Sequence, residues 1–111
     1  MELREEIDPG ICGYAVAVTT ATEDGRHVTF TFESDCQLLA ELDRRIADIS
    51  PVDAIQTLSR DENPVLAQAS ELLRTSGCCE ACVVPVGAVK AMYVITDLAL
   101  RRDVHLKLIE E

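Results

Sequence analysis

Polar and apolar positions change period several times along the chain, and each change marks an element. Leu3, Glu5 and Ile7 share one parity, which predicts a short strand over residues 2–8 that Asp8-Pro9-Gly10 breaks. The run YAVAVTTAT (14–22) is strand-like, and HVTFTFE (27–33) returns with Val28, Phe30 and Phe32 on one face. Between them Glu23-Asp24-Gly25-Arg26 holds Asp-Gly, the strongest short hairpin signal, so a β-hairpin is expected at the centre of the fold.

The period then becomes helical. Ser34 with Gln37 three residues on has the form of a capping box, and Leu38, Leu39, Leu42, Ile46 and Ile49 make one stripe. Ser50-Pro51 predicts a short second helix to about Leu58, because proline suits the first helical position. Asn63-Pro64 repeats the signal, and Val65, Leu66, Ala69, Leu72 and Leu73 carry a stripe that Gly77 should stop. After a loop at 78–84, Pro85 opens a largely apolar helix to about Leu98, a composition that suits the middle of a fold. Val104, Leu106 and Leu108 alternate with His105 and Lys107 and predict a last strand, pairing with the first. Strands grouped before helices give an α+β class: a small antiparallel sheet of three to four strands with helices on one face. One hundred and eleven residues suffice for one buried core and not for two, so a single domain over 1–111 is expected.

Charge narrows the partners. Ten Lys and Arg against twenty Asp and Glu leave a net −10, and the basic residues are scattered, as at Arg44-Arg45, Arg60, Arg74, Lys90 and Arg101-Arg102. Nucleic acid and anionic membrane call for a basic face, which this chain lacks. The acidic excess favours solubility and suits a basic protein partner and cations equally, and a homodimer is compatible with the reading. No apolar run approaches the ~20 residues of a membrane span. The acidic start does not have the order of a signal peptide, so a cytoplasmic location is expected.

Cysteine carries the candidate chemistry. Five occur, at 12, 36, 78, 79 and 82. In a reducing compartment such a set is more often metal-binding or redox-active than a disulfide framework. Cys12 lies in the turn Gly10-Ile11-Cys12-Gly13 before the hairpin, Cys36 near the start of the first long helix, and Cys79 and Cys82 form a CxxC that enters the last helix. A hairpin returns near its origin, so Cys12 and Cys36 can meet at one edge of the sheet while the 78–82 loop closes over them. Backbone amides at a helix start favour an anionic thiolate. Four thiolates in tetrahedral array, on Cys12, Cys36, Cys79 and Cys82, suit Zn(II) or an iron–sulfur cluster. To share one ion the sulfurs must come within ~4 Å of one another. Cys78 is the spare, because adjacent side chains on an extended loop diverge. Two alternatives compete: a dithiol–disulfide carrier using Cys79 and Cys82, and an acidic interaction module whose cysteines simply pack as small hydrophobes. His27, His105, Lys90 and Asp61-Glu62 read as solvated or helix-favouring groups, and Glu80 as a loop carboxylate able to tune a ligand set. An enzymatic role is less favoured than holding a metal, since no phosphate loop, nucleophile elbow or H-E-x-x-H is present.

The phrases GICGY (10–14), ESDC (33–36), ACVVPVGAVKA (81–91) and LALRRDVHLKL (98–108) resemble a family of uncharacterised small proteins of anaerobic bacteria and methanogens. In that family a histidine commonly stands where this chain has Cys79, an exchange that suits a metal ligand. Cys12-Gly13, Cys36, Cys82 and Ala88-Val89-Lys90-Ala91 are also similar in order to the IscU/NifU iron–sulfur scaffold family, which implies an IscU/NifU-like fold and a scaffold or carrier role. The chain departs from that pattern at Tyr14, at Ala81 and in Ser34-Asp35-Cys36-Gln37.

Overall fold

The computed structural model describes residues 1–10, 12–58, 62–76 and 81–111. Their order is β1 (Glu2–Ile7), β2 (Val16–Thr22), β3 (His27–Ser34), α1 (Gln37–Ile49), β4 (Val52–Asp53), a 3-10 turn (Gln56–Leu58), α2 (Pro64–Thr75) and α3 (Val84–Ile95). The strands form one antiparallel sheet in the order β1-β2-β3-β4, so the class is α+β, as the sequence predicts.

The predicted hairpin sets the register. Ile7 lies opposite Val16 and Val16 opposite Ser34, so one end of the sheet is marked by these three residues. Val16, Val18, Val28, Phe30 and Phe32 point to one face and are buried. Helices cover that face: α1 packs on β3, α3 on β1 and β2, and α2 against both other helices. Leu39, Leu42 and Ile46 supply the buried stripe of α1. Ile46 is fully buried, and covering such a side chain stabilises the fold by about 1.5–3 kcal/mol. The other face of the sheet stays uncovered, with Arg4, Glu6, Ala17 and Glu33 lining a shallow hollow there.

Helix α3 runs antiparallel to β1. Near its start, a Cβ built on Gly87 would lie 2.8 Å from Ile7 Cδ1 and 3.3 Å from Glu5 Oε1, so a glycine is what lets helix and strand approach here. Near its end, Val94 and Ile95 share a hollow with Met1 and Leu3. Asp97, at φ 61°, turns the chain out of the helix, and the Leu98 amide donates to the Tyr93 carbonyl at 2.8 Å.

Four expectations are corrected. Ser34 does not cap α1: it ends β3, and Cys36 takes the cap position, its carbonyl accepting from Leu39 N (3.1 Å) and Ala40 N (3.3 Å). Cross-strand pairing with Val16 holds Ser34 in the sheet, which outweighs the local capping pattern. The segment after Pro51 is not an α-helix: Val52 pairs with Val28 in β4 and is buried, and a 3-10 turn follows over Gln56–Leu58. The last helix ends at Ile95 rather than Leu98. The predicted last strand does not form; residues 101–111 run outside the sheet and are all exposed. Alternation fixes the two faces of a strand but not its partner. Gly77, the predicted stop of α2, lies outside the described residues.

Candidate metal centre

The turn between β1 and β2 doubles back through Gly10 and Gly13, both at positive φ, with the Gly13 amide donating to the Gly10 carbonyl at 3.0 Å. Cys12 sits exposed in this turn. Cys36 follows β3 by two residues and is half-buried. Ser34 ties its backbone to the turn: Ser34 Oγ donates to the Ala15 carbonyl (3.0 Å) and accepts from the Cys36 amide (3.2 Å). Cys82, also half-buried, precedes α3, whose first turns lie over the Ile7 end of β1. Cys36 and Cys82 both pack against the hydrophobic core. Cys12, Cys36 and Cys82 therefore occupy one end of the sheet, the end marked by Ile7, Val16 and Ser34. Cys78, Cys79 and Glu80 lie outside the described residues. Among the described residues no three His, Cys, Asp or Glu side chains are grouped to hold a metal ion.

Two helices start at this end, α1 and α3. Neither has a side-chain cap nor an acidic residue in its first turn. α2 differs: Asn63 Oδ1 accepts from Val65 N (3.0 Å) and Leu66 N (3.2 Å). Helix N-termini carry about half a positive charge each and favour an anion such as a thiolate. The chemistry available at this end is thus thiol ligation beside two helix starts, with the carboxylates of Glu6, Asp8 and Glu33 lining the neighbouring hollow.

Other sequence candidates fall elsewhere. His27 Nδ1 sits 2.6 Å from Asp24 Oδ2 in the hairpin turn at the opposite end. His105 and Lys90 are exposed.

One residue was overlooked. Glu5 points to the helix side between Leu3 and Ile7, its Oε1 is buried with no hydrogen-bond partner among the described residues, and burial pushes its carboxyl up to about 7. A carboxylate sharing parity with two aliphatic residues was the visible signal.

The sequence profile of one family spans residues 3–108, nearly the whole chain. The chain belongs to DUF6951, a family of unknown function. DUF6951 thus includes all three described cysteines and most of the exposed C-terminal segment. No curated protein and no solved structure matches the chain, the IscU/NifU scaffolds included. Among the described residues no helix is long and apolar enough to cross a membrane.

Proposed function

We propose that the protein is a cytoplasmic holder or carrier of a metal ion or iron–sulfur cluster, bound by the thiolates of Cys12, Cys36, Cys79 and Cys82. Support comes from the shared end of the sheet, where Cys12, Cys36 and Cys82 meet two helix starts that bring no capping side chain or acidic residue of their own. The described cysteines belong to three separate connections of the chain that open at the same end of the sheet. Cys79, three residues before Cys82, completes a CxxC with it. Metal is the cargo, passed on without an organic substrate. The order of cysteines and helices favours a scaffold-like role, and the acidic surface favours a basic protein as recipient.

Elemental and absorption analysis of anaerobically purified protein tests this. Visible bands with iron and sulfide assign a cluster, and colourless protein with stoichiometric zinc assigns a tetrahedral thiolate site. Metal-free protein that gains no metal on reconstitution overturns the proposal. Replacement separates the ligands: Cys79→Ala loses most of the metal, and Cys78→Ala keeps it.

A further inference from the structure

The C-terminal segment is unusual for a folded chain. Val104, Leu106 and Leu108 are 63%, 80% and 97% exposed, and Leu100 is 85% exposed. Contiguous apolar exposure of this kind marks an interaction surface. Its parity is that of a strand: Leu100, Arg102, Val104, Leu106 and Leu108 form one face, and Arg101, Asp103, His105 and Lys107 the other.

The sheet offers an open edge to such a strand. β1 pairs with β2 on one side, and no strand among the described residues pairs with its other side. On the helix side β1 presents Leu3, Glu5 and Ile7, with Glu5 Oε1 buried and lacking a partner among the described residues. Each stripe is apolar apart from one charge, and the charges are opposite: Glu5 on β1 and Arg102 on the arm.

Aligning those two residues fixes the direction. In the antiparallel register with Arg102 across from Glu5, Arg101 meets Glu6, Asp103 meets Arg4 and His105 meets Glu2, while Val104 meets Leu3 and Leu100 meets Ile7. Every charged or titratable pair is complementary and every apolar residue faces another. The parallel register sets Arg101 against Arg4 and Asp103 against Glu6, both repulsive. The arm of the same chain cannot take the antiparallel register, because its root is at the wrong end. Leu100 lies with Met1, Glu2 and Leu3, four strand positions, about 13 Å, from Ile7.

We propose that residues 100–105 of one copy add as an antiparallel strand to the β1 edge of a second copy, with Arg102 answering Glu5, so that two chains exchange arms in a closed dimer. Strand addition uses the exposed backbone of the edge for affinity and the alternate side chains for register. Reciprocal exchange closes the pair and leaves neither β1 edge open.

Light scattering coupled to size exclusion tests the proposal on the full chain and on a chain lacking residues 101–111, which removes only exposed residues. The full chain should run at twice its 12.2 kDa and the shortened chain at the mass of its own, lighter monomer with its helix and sheet circular dichroism kept. Arg101→Glu, which sets two carboxylates opposite each other, should weaken dimerisation roughly tenfold or more, and Glu6→Arg with Arg101→Glu should restore it. Both side chains are exposed, so folding is not at stake. A full chain that stays monomeric overturns the proposal, as does a dimer that survives loss of the arm. Failure of the paired reversal to restore affinity overturns the register.

Discussion

The two ends of the sheet are built differently. At the hairpin end, Asp24 Oδ1 accepts from the amides of Arg26 and His27, both at 2.8 Å. Arg26 forms a two-pronged pair with Asp53, at 2.9 and 2.7 Å, and Asp53 also accepts from Ile55 N at 3.1 Å. These bonds from the amides and His27 hold the Asp24 carboxyl well below its usual range, and the Arg26 guanidinium lowers that of Asp53. Donors and acceptors are consumed within the turn. At the cysteine end, thiols occupy the corresponding connections and the helices that start there carry no side-chain caps. The hairpin end is tied by ion pairs and carboxylate–amide bonds that serve stability. At the cysteine end Asp8 Oδ1 accepts only from Gly10 N among the described residues, and thiols beside two helix starts suit a thiolate-bound cation.

The largest contrast is expected in metal retention. Cys12→Ser, Cys36→Ser and Cys82→Ser should each lower bound metal at least tenfold, since outer-shell changes alone cost about that much. Metal-free Cys12→Ser, at an exposed position, should unfold close to the metal-free parent. Metal content and thermal melts across the set check this, and equal retention by Cys12→Ser and the parent would break the comparison.

A second effect concerns Glu5 beside that end. Its carboxyl titrates at about 7 in the folded chain against 4.5 ordinarily. Below pH 4.5 both folded and unfolded states hold the proton, and burial carries no charge penalty. From 4.5 to about 7 the unfolded chain releases it first, so stability falls as pH rises, and above 7 the loss is complete. Glu5→Gln should flatten that window and stabilise the fold above pH 7 by on the order of 1–2 kcal/mol, discounted for the half-exposed carboxylate. Urea titrations at acid and alkaline pH, made on the chain without its arm, read the difference.

How far these features were legible depended on whether the deciding contact was local. Asp24-Gly25 and the alternation of Val28, Phe30 and Phe32 specify the hairpin within a dozen residues, and the stripe Leu39, Leu42, Ile46 specifies α1. The Ser34/Gln37 capping pattern was locally valid but lost to pairing with Val16, eighteen residues earlier. Local pattern alone makes Val52 helical, because the partner that puts it in a strand, Val28, is distant in sequence. The arm was read as a strand from its own parity, and the missing information was the location of its root near Met1 and Leu3. For the candidate site, residue type and turn context predict that Cys12, Cys36 and Cys82 lie at one end of the sheet, and strand order alone carries that placement. Among the described residues these three cysteines share an end of the sheet without being grouped to hold a metal ion, and Cys78 and Cys79 lie outside the described residues.

Smaller effects sharpen the contrast between capped and uncapped helices. Asn63→Ala removes the side-chain cap of α2 and should cost about 1 kcal/mol with no change in metal content. Asp24→Ala, at the hairpin end, should lower the melting temperature by a few degrees and also leave metal untouched. Calorimetry with parallel metal analysis separates the two readouts; metal loss in either variant would show that the ends are not independent.

The central claim, that thiols at one end of the sheet hold the cargo together, is tested most directly by X-ray absorption at the metal edge of anaerobically loaded protein. A first shell of sulfur alone at about 2.3 Å, losing one sulfur in Cys12→Ser, is the predicted result. A first shell of oxygen or nitrogen, or a sulfur shell unchanged in Cys12→Ser, would contradict it.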